Sequence, residues 1–239
     1  MTPLDFLNQL WQAKPDDHHI LIWTFPDRRS RWFTDIAAAA DYVGAVNGGR
    51  DVYVGVGLAS KDHGPGHRCV SEEITGIAGM WSDLDLLSDA HSKKALPATI
   101  EQALTILPAS MPPTIIVATG NGLHCWWLFK EPYIFDDDED RKYAARIVAR
   151  WHTLLRLNAA AQGWAYERLS DLARVLRILR RRTSKIPPIR SQSLSTPSPT
   201  ADTTSPTSRS SLTMPRSPIR KPRRRPRASG PNGSRTSRC

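Results

Sequence analysis

The stretch Pro113–Phe129 reads Pro-Thr-Ile-Ile-Val-Ala-Thr-Gly-Asn-Gly-Leu-His-Cys-Trp-Trp-Leu-Phe. Two apolar runs are split by Thr119-Gly120-Asn121-Gly122, a hairpin signature. The glycines permit a tight turn and close backbone approach by a ligand. Working backwards, Ile74–Leu87 is a second apolar run with Asp83 and Asp85 near its end, most simply a buried strand. Between them, Ala95–Leu107 carries Ile100, Ala103, Leu104 and Leu107 at helical spacing, with Pro97 near the first turn. Working forwards, Asp138–Ala161 predicts the longest helix. Its acids cluster at the start, where the helix dipole favours them, and Tyr143, Ile147, Trp151, Leu154 and Leu155 share one face. Asp171–Ile178 then reads as a further strand.

The first 60 residues add a helix over Leu4–Trp11, a strand over His19–Phe25, a polar turn over 26–32, and a helix over 36–46 capped by Thr34 or Asp35. Asn47-Gly48-Gly49 ends that helix, Asp51–Leu58 alternates as a strand, and 60–72 is a loop. The element order predicts an α/β or α+β sandwich, with helices packed against one sheet.

Charge divides the chain in two. It has 239 residues and a formal net charge of +10. Residues 1–178 hold 18 Lys+Arg and 22 Asp+Glu, a net charge of −4, whereas 179–239 hold 15 Lys+Arg and one acid, a net of +14. All eighteen aromatic residues lie before residue 167. The expected organisation is one domain over 1–178 and a basic, Ser/Pro/Arg-rich, disordered tail over 179–239, because a segment without aromatics cannot bury enough apolar surface to offset chain entropy. No run approaches the apolar length of a membrane span, no secretory signal opens the chain, and three cysteines are too few for a disulfide framework. The composition therefore points away from membranes and towards the cytoplasm.

Three constellations carry chemistry. On a strand, Asp83 and Asp85 face the same side and repel unless a cation lies between them. Hard oxygen ligands of this kind suit Mg²⁺ or Mn²⁺. Thr119, Asn121 and His124 surround the hairpin turn, where backbone and imidazole can meet phosphate oxygens. Asp171, Arg174 and Arg177 fall in the last strand, with Asp171 a third carboxylate and Arg177 a bidentate phosphate clamp. Each motif alone also fits a structural part: a solvated strand end, an ordinary hairpin, a strand with a snorkelling Arg. His63, His67 and Cys69 crowd one loop, but their spacing matches no standard zinc site, and they read as a plain polar loop. Trp126-Trp127 reads as core and sheet surface. A GxxxxGK[ST] phosphate loop is lacking, which removes ATPase and helicase modules.

Taken in order, Trp81-x-Asp83-Leu84-Asp85, Pro113 to Trp127, and Asp171-Leu172-Ala173-Arg174-Val175-Leu176-Arg177 resemble the RepB-like branch of archaeo-eukaryotic primases, the primase-polymerase domains of plasmid and phage replication proteins. The resemblance covers roughly residues 15–178. It implies an α+β, RRM-like primase palm with a mixed sheet. It also implies two divalent ions (Mg²⁺ or Mn²⁺) held by Asp83, Asp85 and Asp171, and an NTP or dNTP whose phosphates meet Thr119, Asn121, His124, Arg174 and Arg177. The activity implied is DNA primase/polymerase nucleotidyl transfer on a single-stranded DNA template, with a replicative helicase as a partner. Two other readings stay open: an inert nucleic-acid-binding replication module, and a metal-dependent nuclease. Gly122 stands where the family often has a small hydroxyl residue two places before the His.

A second departure follows Ile178. The family's last motif runs on into Pro-Gly-Thr-x-Asn-x-Lys, whereas this chain reads Leu179-Arg180-Arg181-Arg182-Thr183-Ser184-Lys185. Read one base earlier, the same codons can spell Pro-(small)-Thr-(small)-Asn-(apolar)-Lys, lacking only the Gly. This predicts a frame shift near Ile178, with the tail an out-of-frame translation. The rival account is a true basic arm that binds nucleic acid through phosphates.

Overall fold

The structure is a computed structural model that describes residues 1–88 and 95–178. The disorder expected of 179–239 falls outside the described residues. Helix α1 (Pro3–Trp11) is held at its start by a capping box in which Thr2 and Asp5 bond each other's backbone. It buries Phe6, Leu7, Leu10 and Trp11, and burial of each large side chain contributes about 2 kcal/mol. Leu4, apolar and three residues before Leu7, is exposed. Strand β1 (His19–Phe25) is followed by β2 (Arg29–Phe33), so the segment expected as a polar turn is mostly a paired strand. Its alternation puts Ser30 and Trp32 inward and its charged residues outward, which masks the apolar signal. Helix α2 (Ile36–Val46) starts on Asp35, whose carboxylate accepts from Ala38 N, and ends at Asn47.

Strand β3 (Asp51–Ala59) leads through the long loop and a 3₁₀ turn (Ser71–Glu73) into β4 (Ile74–Asp85). Helix α3 (Ile100–Leu104) is shorter than expected: Thr99 is its cap, and Pro97 lies outside it. The hairpin pairs β5 (Ile115–Ala118) with β6 (Gly122–Ile134). Helix α4 spans Asp138–Ala161 as predicted, but its buried face is Ala144, Val148, Trp151, His152, Leu155 and Ala159. Trp151 and Leu155 of the expected face are buried, but Tyr143 and Leu154 are exposed, so the buried face is rotated from the one the spacing predicts. Last comes β7 (Val175–Arg177), three residues long. Asp171 precedes it in a turn closed by Arg174 N on Asp171 O, so the extended strand expected from Asp171 is not formed.

The result is the expected α+β arrangement of helices on one sheet. The order is β2-β1-β3-β4-β6-β5 with β7 added against β3, and every pairing is antiparallel rather than mixed. Adjacent Trp126 and Trp127 point to opposite faces of β6. Trp126 meets Phe6 of α1 edge-on at 6.0 Å, and Trp127 meets Trp151 of α4 at 4.6 Å. Both rings are buried, as their reading as core requires.

One irregularity places the site. β3 pairs with β4 only through Gly57–Ala59 and then parts from it, while Tyr53–Gly55 pair with β7 instead. The short last strand therefore fills the gap left where β3 and β4 diverge.

Candidate active site

Along β4 and β6, Trp81 opposes Trp126, Asp83 opposes His124, and Asp85 opposes Gly122. With a two-residue period, Trp81, Asp83 and Asp85 share one strand face. That face begins in the core at Trp81 and ends in an open cleft of about 370 Å³. The cleft is lined by Asp83, Asp85, Thr119, Asn121, His124, Arg174 and Arg177, together with Tyr53, Glu167 and Leu169. Trp81 Nε1 fixes one wall by donating to Leu169 O at 2.8 Å.

His124 has two distinct nitrogens. Its Nδ1 accepts from the backbone N–H of Arg177 at 3.0 Å, which requires a lone pair there. The imidazole is then the neutral tautomer with its proton on Nε2, an assignment made from the hydrogen-bond network. Nε2 stands 3.5 Å from Asp83 Oδ2. The ring is almost wholly buried while Asp83 is partly open to the cleft. His124 thus presents one N–H towards the acidic pair, its orientation set by the strand that completes the sheet.

The hairpin turn is tied to the end of β4. Thr119 N donates to Gly122 O, and Leu86 N donates to Asn121 O at 2.8 Å, beside Asp85. Gly120 has φ +101°, a conformation strained for any other residue, and a Cβ on Gly122 would meet Leu84 O at 2.3 Å, so position 122 has no room for a side chain. The hydroxyl absent at position 122 is therefore excluded by strand contact, and Thr119 and Asn121 supply the polar groups of this rim.

Arg177 is not a free clamp. Its Nη1 and Nη2 donate to the two carboxylate oxygens of Asp51 at 3.1 and 3.0 Å, and Nη2 also donates to Tyr53 Oη at 3.0 Å. Arg174 engages Asp171, with Nε and Nη2 at 2.9 and 2.7 Å from one oxygen. Asp171 is not among the residues that line the cleft; its contact there is through Arg174, which does line it. Sequence reasoning missed Glu167, the other carboxylate of the lining, because it sits in an irregular segment after α4 where no periodicity points to it. Tyr53 was visible only as one alternating residue of β3.

Rings and guanidinium groups extend from the cleft. The Arg177 guanidinium lies 5.3 Å over the Tyr53 ring, Tyr53 meets Trp23 edge-on at 5.2 Å, and Arg68 lies 5.2 Å over Trp23. Phe25, 6.2 Å from Trp23, is exposed. No helix among the described residues is long and apolar enough to cross a membrane.

In comparison with solved structures, the chain is similar to the AEP domain of the primase-polymerase of cyanophage S-2L. The TM-score is 0.45 and the identity 17%, over 74% of this chain and 80% of that one. No protein-family profile matches the sequence. No curated protein matches it either.

Proposed function

We propose that residues 1–178 are a primase-polymerase-type nucleotidyltransferase domain of a phage or plasmid replication protein, acting on a single-stranded DNA template. One observation carries the reading: three segments distant in sequence (83–85, 119–124 and 174–177) line one cleft, and they are the segments in which the family resemblance resides. The aromatic and arginine groups running from Tyr53 to Arg68 support it, because single strands bind by base stacking and phosphate attraction.

Asp83 and Asp85 offer hard oxygen donors on one strand face, and Glu167 lines the same cleft, a donor chemistry that fits Mg²⁺ or Mn²⁺. When bound, two such ions would activate a 3′-hydroxyl and steady the pyrophosphate leaving group. The chain's own residues position the reactants. His124 Nε2–H is aimed where a phosphate oxygen beside Asp83 would lie, and Arg174 supplies positive charge at the lining. Thr119, Asn121 and the turn backbone supply polar groups at the rim, and Arg177 braces β3 against β7 rather than reaching outward.

The test is nucleotide incorporation on single-stranded DNA with Mg²⁺ or Mn²⁺, comparing NTPs and dNTPs. Incorporation that disappears in Asp83→Ala with Asp85→Ala supports the proposal. Template cleavage would turn it into a nuclease, and binding without incorporation into an inert module.

The proposal extends to the reading frame: residues 179–239 are an out-of-frame translation. Coding DNA around codons 170–190 tests this. A family-like continuation in the frame one base earlier supports it, and an early stop without one overturns it in favour of a basic arm.

A further inference from the structure

The loop between β3 and β4 holds a second cluster of metal-ligating groups, outside the cleft. Donor atoms of His63, Cys69 and Glu73 all lie within 4.8 Å of one another. Ligands held about 2.0–2.3 Å from one tetrahedral ion stand roughly 3.3–3.8 Å apart, so modest side-chain adjustment brings these three onto a common centre.

We propose that His63, Cys69 and Glu73 bind one zinc-class transition-metal ion that fastens this loop to the sheet. Two of the donors, His63 and Glu73, are held in place by contacts within the protein. His63 packs against Trp32, ring centroids 5.0 Å apart, and its side chain is only 8% exposed. Its Nδ1 stands 3.5 Å from Glu73 Oε2, while its Nε2 is buried without a hydrogen-bond partner. A buried imidazole nitrogen without a partner is costly, and ligation of this ring would change that balance. Cys69 adopts φ +56°, a left-handed conformation that costs a non-glycine residue on the order of 1 kcal/mol. The fold tolerates this at the residue whose thiol joins the cluster. Glu73 ends the 3₁₀ turn and folds back, its Oε2 accepting from Val70 N at 3.2 Å.

The donor set selects the ion. One sulfur, one imidazole and one carboxylate suit zinc, whereas Mg²⁺ and Mn²⁺ prefer the all-oxygen chemistry of Asp83 and Asp85. His63, Cys69 and Glu73 line a cavity of about 420 Å³, which Asp62 and His67 also line. Sequence spacing did not find the site, because His63, His67 and Cys69 match no finger pattern and the third ligand is an acid on the next structural element.

The consequence is positional. Pro65 O accepts from Ser30 N at 2.9 Å, and Arg68 lies over Trp23, so the loop already touches the sheet at two points between His63 and Cys69. A bound ion would fix Arg68 beside the aromatic groups that lead to the cleft.

The experiment uses the untagged full chain. Purified protein should contain about one zinc per chain after dialysis. Replacement with Co²⁺ should give a tetrahedral visible spectrum with a thiolate-to-cobalt charge-transfer band. Cys69→Ser should remove that band, Glu73→Gln should weaken zinc binding at least about tenfold, and Cys239→Ser and Asp83→Asn should leave both unchanged. Chelation of the wild type should lower its Tm, and zinc should restore it. The wild-type cobalt spectrum does not depend on whether Cys69→Ser folds. Absence of a thiolate band there, or its persistence in a folded Cys69→Ser variant, overturns the proposal.

Discussion

The backbone N–H of Arg177 donates to Nδ1 of His124 at 3.0 Å, although 53 residues separate the two. The bond joins the last strand to the hairpin and sets which nitrogen of His124 faces Asp83. Fold completion and site orientation are here one interaction.

His124→Ala should therefore act twice. Under the proposed function, loss of a donor aimed at a phosphate oxygen should lower incorporation about 10²–10³-fold. Leaving Arg177 N–H without its acceptor in a partly buried place should cost about 1–3 kcal/mol. His124→Asn, which keeps an acceptor and a donor on a shorter side chain, should recover part of the stability and little of the activity. Primer-extension rates and urea denaturation separate the two effects.

Arg177→Lys keeps the charge but cannot reproduce the two-pronged contact with Asp51 and the third bond to Tyr53. The partly buried pair predicts a loss of about 2 kcal/mol, read as a lower urea midpoint. A neutral effect would show that the β3–β7 junction does not rely on this group.

Asp171 holds Arg174 and does not line the cleft. Asp171→Asn should leave Mn²⁺ affinity unchanged, as followed by the paramagnetic resonance signal of free ion. It should raise KM for nucleotide less than about tenfold by loosening Arg174. Asp83→Asn, in contrast, should weaken Mn²⁺ binding directly.

Buried His152 gives the fold an acid-sensitive point. Burial first, then the charges of Arg168 and Arg174, lower its pKa from 6.5 to about 4, and its Nδ1 meets Tyr166 Oη at 2.9 Å. Below about pH 6.5 the unfolded chain takes up a proton that the native ring refuses. Stability is therefore complete above that pH and declines as pH falls towards 4, by at most about 3 kcal/mol. His152→Gln should flatten this part of the curve of urea midpoint against pH. An unchanged slope would remove His152 from the account.

Much of the fold could be read from the chain because it rests on local patterns. The Asp35 cap, the glycine-split hairpin and the acid-led α4 follow from short-range chemistry and match the observed elements. Where pattern failed, another force decided. β2 is a half-buried edge with charges outward, and α4 turns Ala144, Val148, Trp151 and Leu155 inward, which leaves Tyr143 and Leu154 exposed. Asp171 left the strand because its carboxylate and carbonyl both serve Arg174 in a turn.

By itself, the sequence determined the residue types of the cleft and the spacing that puts Asp83 beside Asp85, since a strand's two-residue period is a property of the backbone. It also determined the glycine turn that carries His124. Only the tertiary structure decided that β3 and β4 part, that β7 fills the gap, and that Glu167 and Tyr53 join the lining while Asp171 does not. The same holds for Glu73 beside His63 and Cys69. These are contacts between segments that local propensity does not couple, set by which surfaces remain to be buried once the sheet has formed.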